Sequence, residues 1–351
     1  MGYTEKDLGT IARTIEDCRK KHGAGWARAA ADALSISPRQ VRDWAQRVGP
    51  AQTSAVSAIA LPTFPDGDLP IEDVIDVMAR RYERRNEARL ARQWFRVDVS
   101  TDDPIGIVWF GDPHVDDDGC NWPLLRRHIE ICQQDGIFGA NIGDTTNNWV
   151  GRLTRLFGNQ ESSQATARRL AKYFLQDSGI TWLLWIMGNH DAWGDGADIL
   201  RMLGGQMVPS ERPAMEDWQA RFRLAFPSGR ECRIHAAHDF KGHSMWNSLH
   251  GPQKAAHTKA EAHLYIAGHT HNWALHQEES ASREFTYWLA RARGYKFLDH
   301  YGESLGHFPQ QEGAAILSVI DPRAKSHAGF VQCFSDVEEG AQFLAWKRGR
   351  A

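Results

Sequence analysis

The spacing of apolar and polar positions changes along the chain, and the first part has helical spacing. Trp26–Leu34 is rich in alanine, and Pro38–Val48 continues with a second helical pattern after a short break. Ser37 is a favourable N-cap, and Pro38 occupies the first helical position, where its missing N–H costs nothing. The pattern therefore predicts a small all-α domain over residues 1–48.

The next segments predict a linker and a long helix. Residues 49–70 contain Ala, Ser, Thr, Pro and Gly with almost no charge, which is typical of a linker. Residues 71–100 are predicted as a basic connecting segment, in which Ile71–Phe95 forms one helix. Apolar side chains fall roughly on one side of this helix, and arginines crowd the rest.

From residue 105 onward, short apolar runs alternate first with helical patterns and then with each other. Ile105–Phe110 and Phe138–Ile142 predict strands, with a helix over Trp122–Gln134 between them. Early β-α-β units followed mostly by strands predict an α/β domain over residues 101–340. We expect a double β-sheet sandwich flanked by helices.

Five of the predicted strands end in a short cluster of polar residues. In chain order the clusters are Gly111-Asp112-Pro113-His114, Gly143-Asp144, Gly188-Asn189-His190-Asp191, Ala237-His238-Asp239 and Gly268-His269-Thr270-His271. Because ligands in open α/β sheets bind outside the carboxyl ends of the strands, we expect these clusters to converge. Side chains at i and i+2 leave a strand on the same face, so each Asp-x-His or His-x-His pair can hold one ion. Carboxylate and imidazole ligands suit divalent ions such as manganese, iron, zinc or nickel.

This ordered set of clusters resembles the calcineurin-like metallophosphoesterase superfamily, whose motifs run D-x-H, G-D, G-N-H-[DE], H and G-H-x-H. The resemblance covers about residues 105–335 and implies a metallophosphoesterase-type double β-sheet sandwich with a two-metal centre. It also implies a ligand set: Asp112, His114 and His271 for the first ion, Asn189, His238 and His269 for the second, and Asp144 bridging both.

The histidine of the fourth motif has more than one candidate, because several histidines lie close together in this part of the sequence. His238 is favoured because it stands where the apolar run 234–237 stops. His243 is the alternative.

The resemblance assigns His190 a position beside the leaving group, as a proton donor and not as a ligand. Ser/Thr protein phosphatases continue the second motif as G-D-x-x-D-R-G, where the second Asp orients this histidine. Here Asn147 replaces that Asp, and no Arg follows. An amide oxygen can accept a hydrogen bond from His190 but cannot stabilise an imidazolium by charge. The departure favours a phosphodiesterase, including the repair-nuclease branch, over a protein phosphatase.

Charge adds a candidate partner. Residues 1–96 carry 16 Lys and Arg against 13 Asp and Glu, whereas the whole 351-residue chain has a net charge of −3. A basic N-terminal part beside a cation-binding centre suits nucleic-acid binding. Residues 31–44 resemble a helix-turn-helix of transposases and phage terminase small subunits, with a core formed by Leu34, Ile36, Val41 and Trp44. The side chains predicted to face DNA are Arg39, Gln40, Arg42 and Arg47. A helical hairpin that packs against another protein is the alternative.

Cysteine usage and hydropathy indicate the cellular compartment. The five cysteines are scattered without a C-x-x-C pair, which argues against a disulfide framework and a zinc ribbon. The sequence shows no signal peptide, and no apolar run approaches the ~18 residues that span a membrane. We therefore expect a cytoplasmic protein with no membrane partner.

These patterns predict a metal-dependent phosphodiesterase or nuclease that acts on DNA or RNA, with DNA favoured. By resemblance it uses two divalent ions, manganese foremost, and a hydroxide that bridges them. Residues 238–247 also resemble phage- or prophage-encoded members of the superfamily. One alternative is a phosphatase of small phosphomonoesters or nucleotides. Another is a DNA-binding or scaffold protein with a vestigial phosphoesterase fold, against which the complete ligand set argues.

Overall fold

The computed structural model of the protein describes residues 5–48, 67–258, 261–280, 285–298, 303 and 313–349. The chain divides into two compact units, Met1–Val74 and Ile75–Ala351. Most of the predicted linker, residues 49–66, lies outside the described residues. Every helix within the described ranges is too short or too polar to cross a bilayer.

Residues 5–48 of the first unit form three α-helices: α1 (Glu5–His22), α2 (Trp26–Leu34) and α3 (Pro38–Val48). They enclose a small core in which Ile15, Ala30, Ala31 and Val41 are buried. The other predicted core residues, Leu34, Ile36 and Trp44, are partly buried against this cluster.

Helix α3 begins with the predicted N-cap. The Gln40 backbone N–H donates to Ser37 Oγ at 3.3 Å, and the Ser37 N–H donates to Gln40 Oε1 at 2.9 Å. This reciprocal pair is a capping box, so the Gln40 side chain caps the N-terminus of the helix instead of facing a ligand. Arg39, Arg42 and Arg47 are exposed.

The remaining described residues form helices and strands that alternate first and are mostly strands later. The helices are α4 (Ile71–Ala91), α5 (Trp122–Cys132), α6 (Gln164–Lys172), α7 (Asn189–Ala192), α8 (Gly196–Gln206), α9 (His250–Thr258) and α10 (Val337–Arg348). The strands are β1 (Gln93–Asp98), β2 (Ile105–Phe110), β3 (Ile137–Asn141), β4 (Trp182–Met187), β5 (Ala214–Asp217), β6 (Gln219–Ala225), β7 (Glu231–Ala237), β8 (Leu264–Ala267), β9 (Ala274–Ser280), β10 (Phe285–Arg291), β11 (Ile316–Ile320) and β12 (Val331–Phe334).

The strands form two six-stranded mixed sheets, ordered β1-β6-β7-β8-β10-β9 and β12-β11-β2-β3-β4-β5. One apolar core lies between the sheets and contains Ile107 and Trp109 from β2 with Phe222 and Leu224 from β6. Alternate residues of β2 point the other way and pack against α5, α8 and α10 in a second core. A third core covers the outer face of the first sheet with α9. The protein is therefore a mixed α/β structure with two packed sheets and flanking helices.

The long basic helix ends earlier than predicted, at Ala91 instead of Phe95. Trp94 has a left-handed backbone (φ 55°), which a helix cannot contain. Residues 93–98 then form edge strand β1, parallel to β6, and Phe95 stacks on Phe222 with ring centroids 5.6 Å apart. Burial of Phe95 on the first sheet outweighs the helical pattern.

Strands β5, β6 and β9 were not predicted, and the predicted C-terminal boundary of the domain differs from the observed one. Strand β6 alternates Ala220, Phe222 and Leu224 toward the core with arginines on its other face, a strand pattern that was not predicted. The predicted domain end at residue 340 falls inside helix α10, whose Leu344 is buried against the second sheet.

Candidate metal centre

The five polar clusters follow strands β2, β3, β4, β7 and β8. Strands β2, β3 and β4 are parallel neighbours in one sheet, and β7 and β8 are parallel neighbours in the other. The carboxyl ends of β2, β3 and β4 therefore lie on one side of their sheet, and those of β7 and β8 lie on one side of the other sheet. Three overlapping groups of ligand atoms, each within 4.8 Å of one another, form there: Asp112 with His114 and His271, His114 with Asp144 and His190, and Asp144 with His238 and His269.

One group converges on the Nε2 atom of His238. This atom lies 3.0 Å from Asn189 Oδ1, 3.1 Å from His269 Nδ1 and 3.4 Å from Asp144 Oδ2. On the other side of the ring, Nδ1 donates to the carbonyl oxygen of Ile142 at 3.0 Å. A carbonyl fixes the proton on Nδ1 and leaves Nε2 to bind an ion, which is the usual support for a metal-binding histidine.

A second of the three groups contains Asp112, His114 and His271. Asp112 and His114 are buried, and the His271 Nε2 atom lies 3.9 Å from Asp112 Oδ1. Asp112 Oδ2 accepts the backbone N–H of His269 at 2.6 Å. Asp112 Oδ1 and His114 Nδ1 are buried without a hydrogen-bond partner. Buried polar atoms are normally paired, so these two are suited to a cation.

The two candidates for the fourth-motif histidine occupy different positions. His238 is buried within the cluster, whereas the His243 side chain is 62% exposed and its Nε2 lies 3.3 Å from Asp239 Oδ2. The ring of His243 is 6.4 Å from that of His269. Among the described residues, His243 belongs to none of the three groups.

The expected contact between His190 and Asn147 exists, but through a different atom. His190 Nδ1 bonds to the backbone carbonyl of Asn147, and not to its side-chain amide. The amide Nδ2 donates instead to Asp117 Oδ2 at 2.6 Å, and the Asn147 Oδ1 atom is buried without a partner. The predicted role of the Asn147 side chain is therefore wrong. The backbone carbonyl nevertheless fixes the His190 tautomer, and the ring lies between Trp149 and Trp193.

Many residues of the site have a left-handed backbone. Nine non-glycine residues in the described ranges have positive φ, and five of these are predicted ligands: Asp112, His114, Asp144, His269 and His271. Such conformations cost on the order of 1 kcal/mol or more each and persist where the surroundings enforce them. Their concentration here indicates that side-chain direction in this cluster is maintained against local strain.

Two of the glycines at strand ends provide space for ligands. A Cβ atom at Gly188 would collide with the Asp144 carboxylate, and one at Gly268 would collide with that of Asp112. Neither glycine has positive φ, so a tight turn does not require glycine at these positions. Close approach of the ligand carboxylates explains them instead.

Burial and mutual charge shift the pKa values of the cluster. Burial raises the pKa of Asp112 to about 8, and the neighbouring Asp144 carboxylate adds to the shift. Burial opposes the ionised form of Asp144 as well, but the imidazoles of His238 and His190 hold its pKa well below the usual range. The Asp144 carboxylate in turn outweighs burial and raises the pKa of His238 to about 10. A cation held here would require an ionised Asp112 and a His238 without a proton on Nε2, so its binding would be coupled to proton release.

Asp191 holds the loops of the site together. It is buried, and its carboxylate accepts three backbone N–H groups, from Asp144 at 2.6 Å and from Thr145 and Gly188 at 3.0 Å. These bonds join the loop that carries Asp144 to the loop that carries His190. Sequence reasoning assigned Asp191 no role, although it directly follows the candidate acid.

The donor set fits divalent cations, since carboxylate, amide and imidazole atoms converge and two buried atoms have no other partner. No protein-family model matches the chain, and a comparison with curated proteins found no similar sequence.

Replacing Asp191 by alanine should loosen both loops, because three backbone N–H groups would lose their acceptor. We expect a loss of about 3 kcal/mol in the free energy of unfolding and about 10- to 100-fold weaker metal binding. Urea unfolding and metal titration measure the two effects. Asp191→Asn, which keeps one acceptor oxygen, should lose less. Asp177→Asn, at an exposed carboxylate, is the control. Unchanged metal affinity in Asp191→Ala would contradict the positioning role.

Proposed function

We propose that the chain is a dinuclear metal-dependent phosphoesterase of the calcineurin-like type and that it hydrolyses phosphodiesters. The observation that carries the proposal is the position of Asp144, whose carboxylate belongs to two groups of potential ligands at once. Sharing one carboxylate between two cations is the arrangement that two-metal phosphoesterases require. The motif order and the two-sheet architecture also support a metallophosphoesterase-type sandwich.

In this proposal the site has two cation positions and one proton donor. Asp112, His114 and His271 would hold one ion, Asn189, His238 and His269 the other, and Asp144 both, with manganese the first choice and iron, zinc or nickel as alternatives. Two bound ions would supply activation of water and neutralisation of phosphate charge. Two arginines are buried in the described part of the chain: Arg291 is engaged by Asp239 and two backbone carbonyls, and the Arg293 guanidinium lies over the Phe297 ring.

His190 is suited to protonate the leaving oxygen. Its Nδ1 proton is fixed by the Asn147 carbonyl, which directs Nε2 toward the cluster, 3.9 Å from Asp144 Oδ2. Burial lowers the pKa of His190, although the Asp144 carboxylate opposes the shift. An imidazole with a lowered pKa is a strong proton donor when protonated.

The absence of an arginine after Asn147 favours a diester over a monoester. A phosphomonoester carries more negative charge and benefits most from an arginine clamp. A diester carries one charge, which two cations neutralise without such a clamp. DNA or RNA is the diester class that fits the exposed arginines of α3.

Turnover of two nitrophenyl substrates tests the proposal. With added Mn²⁺, the chain should hydrolyse bis-p-nitrophenyl phosphate faster than p-nitrophenyl phosphate, and chelation should abolish the activity. Asp144→Asn should lose at least about 100-fold, because both ions lose a charged ligand. Asp177→Asn should retain the wild-type rate.

The outcome also separates the alternatives. Faster hydrolysis of the monoester would favour a small-molecule phosphatase. Metal binding without hydrolysis of either substrate would favour a binding or scaffold protein.

Replacing His190 tests the proton donor. On a DNA diester, whose alkoxide leaving group needs a proton, His190→Ala should lose on the order of 100-fold or more. On the nitrophenyl diester it should lose much less, because nitrophenolate leaves without help. Metal content, measured by atomic emission, should stay at the wild-type level, whereas His269→Ala should lose metal and both activities. Loss of metal in His190→Ala would make this residue a ligand instead.

The exposed arginines of α3 can be tested through salt dependence. Replacing Arg39, Arg42 and Arg47 together by alanine should weaken binding to duplex DNA and reduce the slope of log affinity against log salt by about 3. Removing three charges from α1, at Arg13, Lys20 and Lys21, is the matched control and should have less effect. Equal losses in both variants would reject α3 as the DNA-contacting helix.

A further inference from the structure

The loop after the metal-ligand candidate His238 carries the most exposed large apolar side chain in the described part of the chain. Trp246 is 91% exposed, and its neighbour Met245 is 89% exposed. Neither belongs to any of the apolar cores. Large apolar side chains that remain in water next to a polar site are typical of a surface that binds a ligand.

The two ends of this loop are anchored. Arg291, which is 1% exposed, donates from Nε to the Ser248 carbonyl at 2.8 Å and from Nη1 to Asp239 Oδ1 at 3.2 Å. Phe240 and Leu249 are buried in the core under α9. A single buried guanidinium thus joins the start and the end of the loop, so the tip at residues 245–246 is presented from a fixed base.

The same arginine connects the loop to the candidate metal centre. Its Nη1 also donates to the carbonyl of Gly268, the residue before His269. His243, two residues before Met245, lies with its ring 6.4 Å from that of His269. Because consecutive Cα atoms are about 3.8 Å apart, the Trp246 Cα lies within roughly 11 Å of that of His243. The tip therefore lies a few residues from a histidine that approaches the candidate metal centre.

The charge of the segment suits a polyanion. Residues 240–258 contain two lysines and three histidines and no carboxylate. An exposed indole beside cationic side chains is the combination with which proteins bind single-stranded nucleic acid, since every base offers a face for stacking.

We propose that Trp246, with Met245 beside it, is a stacking platform for an unpaired nucleobase adjacent to the phosphodiester at the metal centre. This rests on the proposed function and narrows its substrate class to single-stranded nucleic acid or unpaired ends. The indole face contacts the base, Lys241 and Lys254 lie in the same segment, and Arg291 acts as a positioning residue for the loop.

Binding of a fluorescein-labelled oligothymidine, followed by anisotropy without added metal, tests the platform. Stacking contributes about 1–3 kcal/mol per base, so Trp246→Ala should raise the dissociation constant about 5- to 150-fold. Trp246→Phe should retain most of the affinity. Trp346→Ala, at a 46% exposed tryptophan on α10, is the matched control and should bind like wild type. Turnover of bis-p-nitrophenyl phosphate should be unchanged in Trp346→Ala.

The outcomes separate this inference from the proposed function. If wild type hydrolyses the small diester but Trp246→Ala binds the strand like wild type, or wild type does not bind it, the platform is rejected and the phosphodiesterase stands. If strand binding depends on Trp246 and no diester is hydrolysed, the platform stands and the proposed function fails. Trp246-dependent binding to phosphatidylserine vesicles with no effect on the strand would also overturn the platform, in favour of a membrane surface.

Discussion

Asp144 lies where the carboxyl ends of strands from the two sheets meet. Its buried carboxylate interacts with the imidazoles of His238 and His190, which follow strands of different sheets. One oxygen is 3.4 Å from His238 Nε2, the other accepts the backbone N–H of His190 at 2.9 Å, and the backbone N–H of Asp144 donates to Asp191. A buried carboxylate is costly unless cations or donors surround it. Gly188 leaves room for this carboxylate, and Asp191 holds the backbone that carries it.

The strand ends that carry the candidate ligands could be predicted from the sequence. Each strand is an apolar run, which a glycine or alanine and then polar residues follow. Strands β2, β4 and β7 are buried along most of their length, so their composition alone identified them. Strand β6 was not predicted, although Ala220, Phe222 and Leu224 alternate with arginines along it. Strand β1 was hidden because the basic helical pattern continues into it, and only packing on Phe222 ends the helix.

Side-chain direction was harder to predict than position. Asn147 was expected to face His190 through its amide, but the amide turns to Asp117, which comes from a different loop. Nothing in the local sequence fixes such a choice, since it depends on which polar atoms three separate loops bring together. The sequence around Arg291 indicates its position more clearly than that around Asn147, because a charged residue ends the otherwise largely apolar strand β10. A fully buried arginine requires several acceptors.

The order of strands in the second sheet has a consequence for biosynthesis. Strand β2, which leads to the first ligand, lies between β3 and β11, and Trp109 Nε1 donates to Ser318 Oγ across 209 residues of chain. A polypeptide emerging from the ribosome lacks β11 until Ser318, 209 residues after Trp109, has been made, so the edge of β2 that pairs with β11 stays unpaired until then. Non-local pairing of this kind is slow. The strand that leads to Asp112 therefore gains one of its two neighbours long after it has been synthesised.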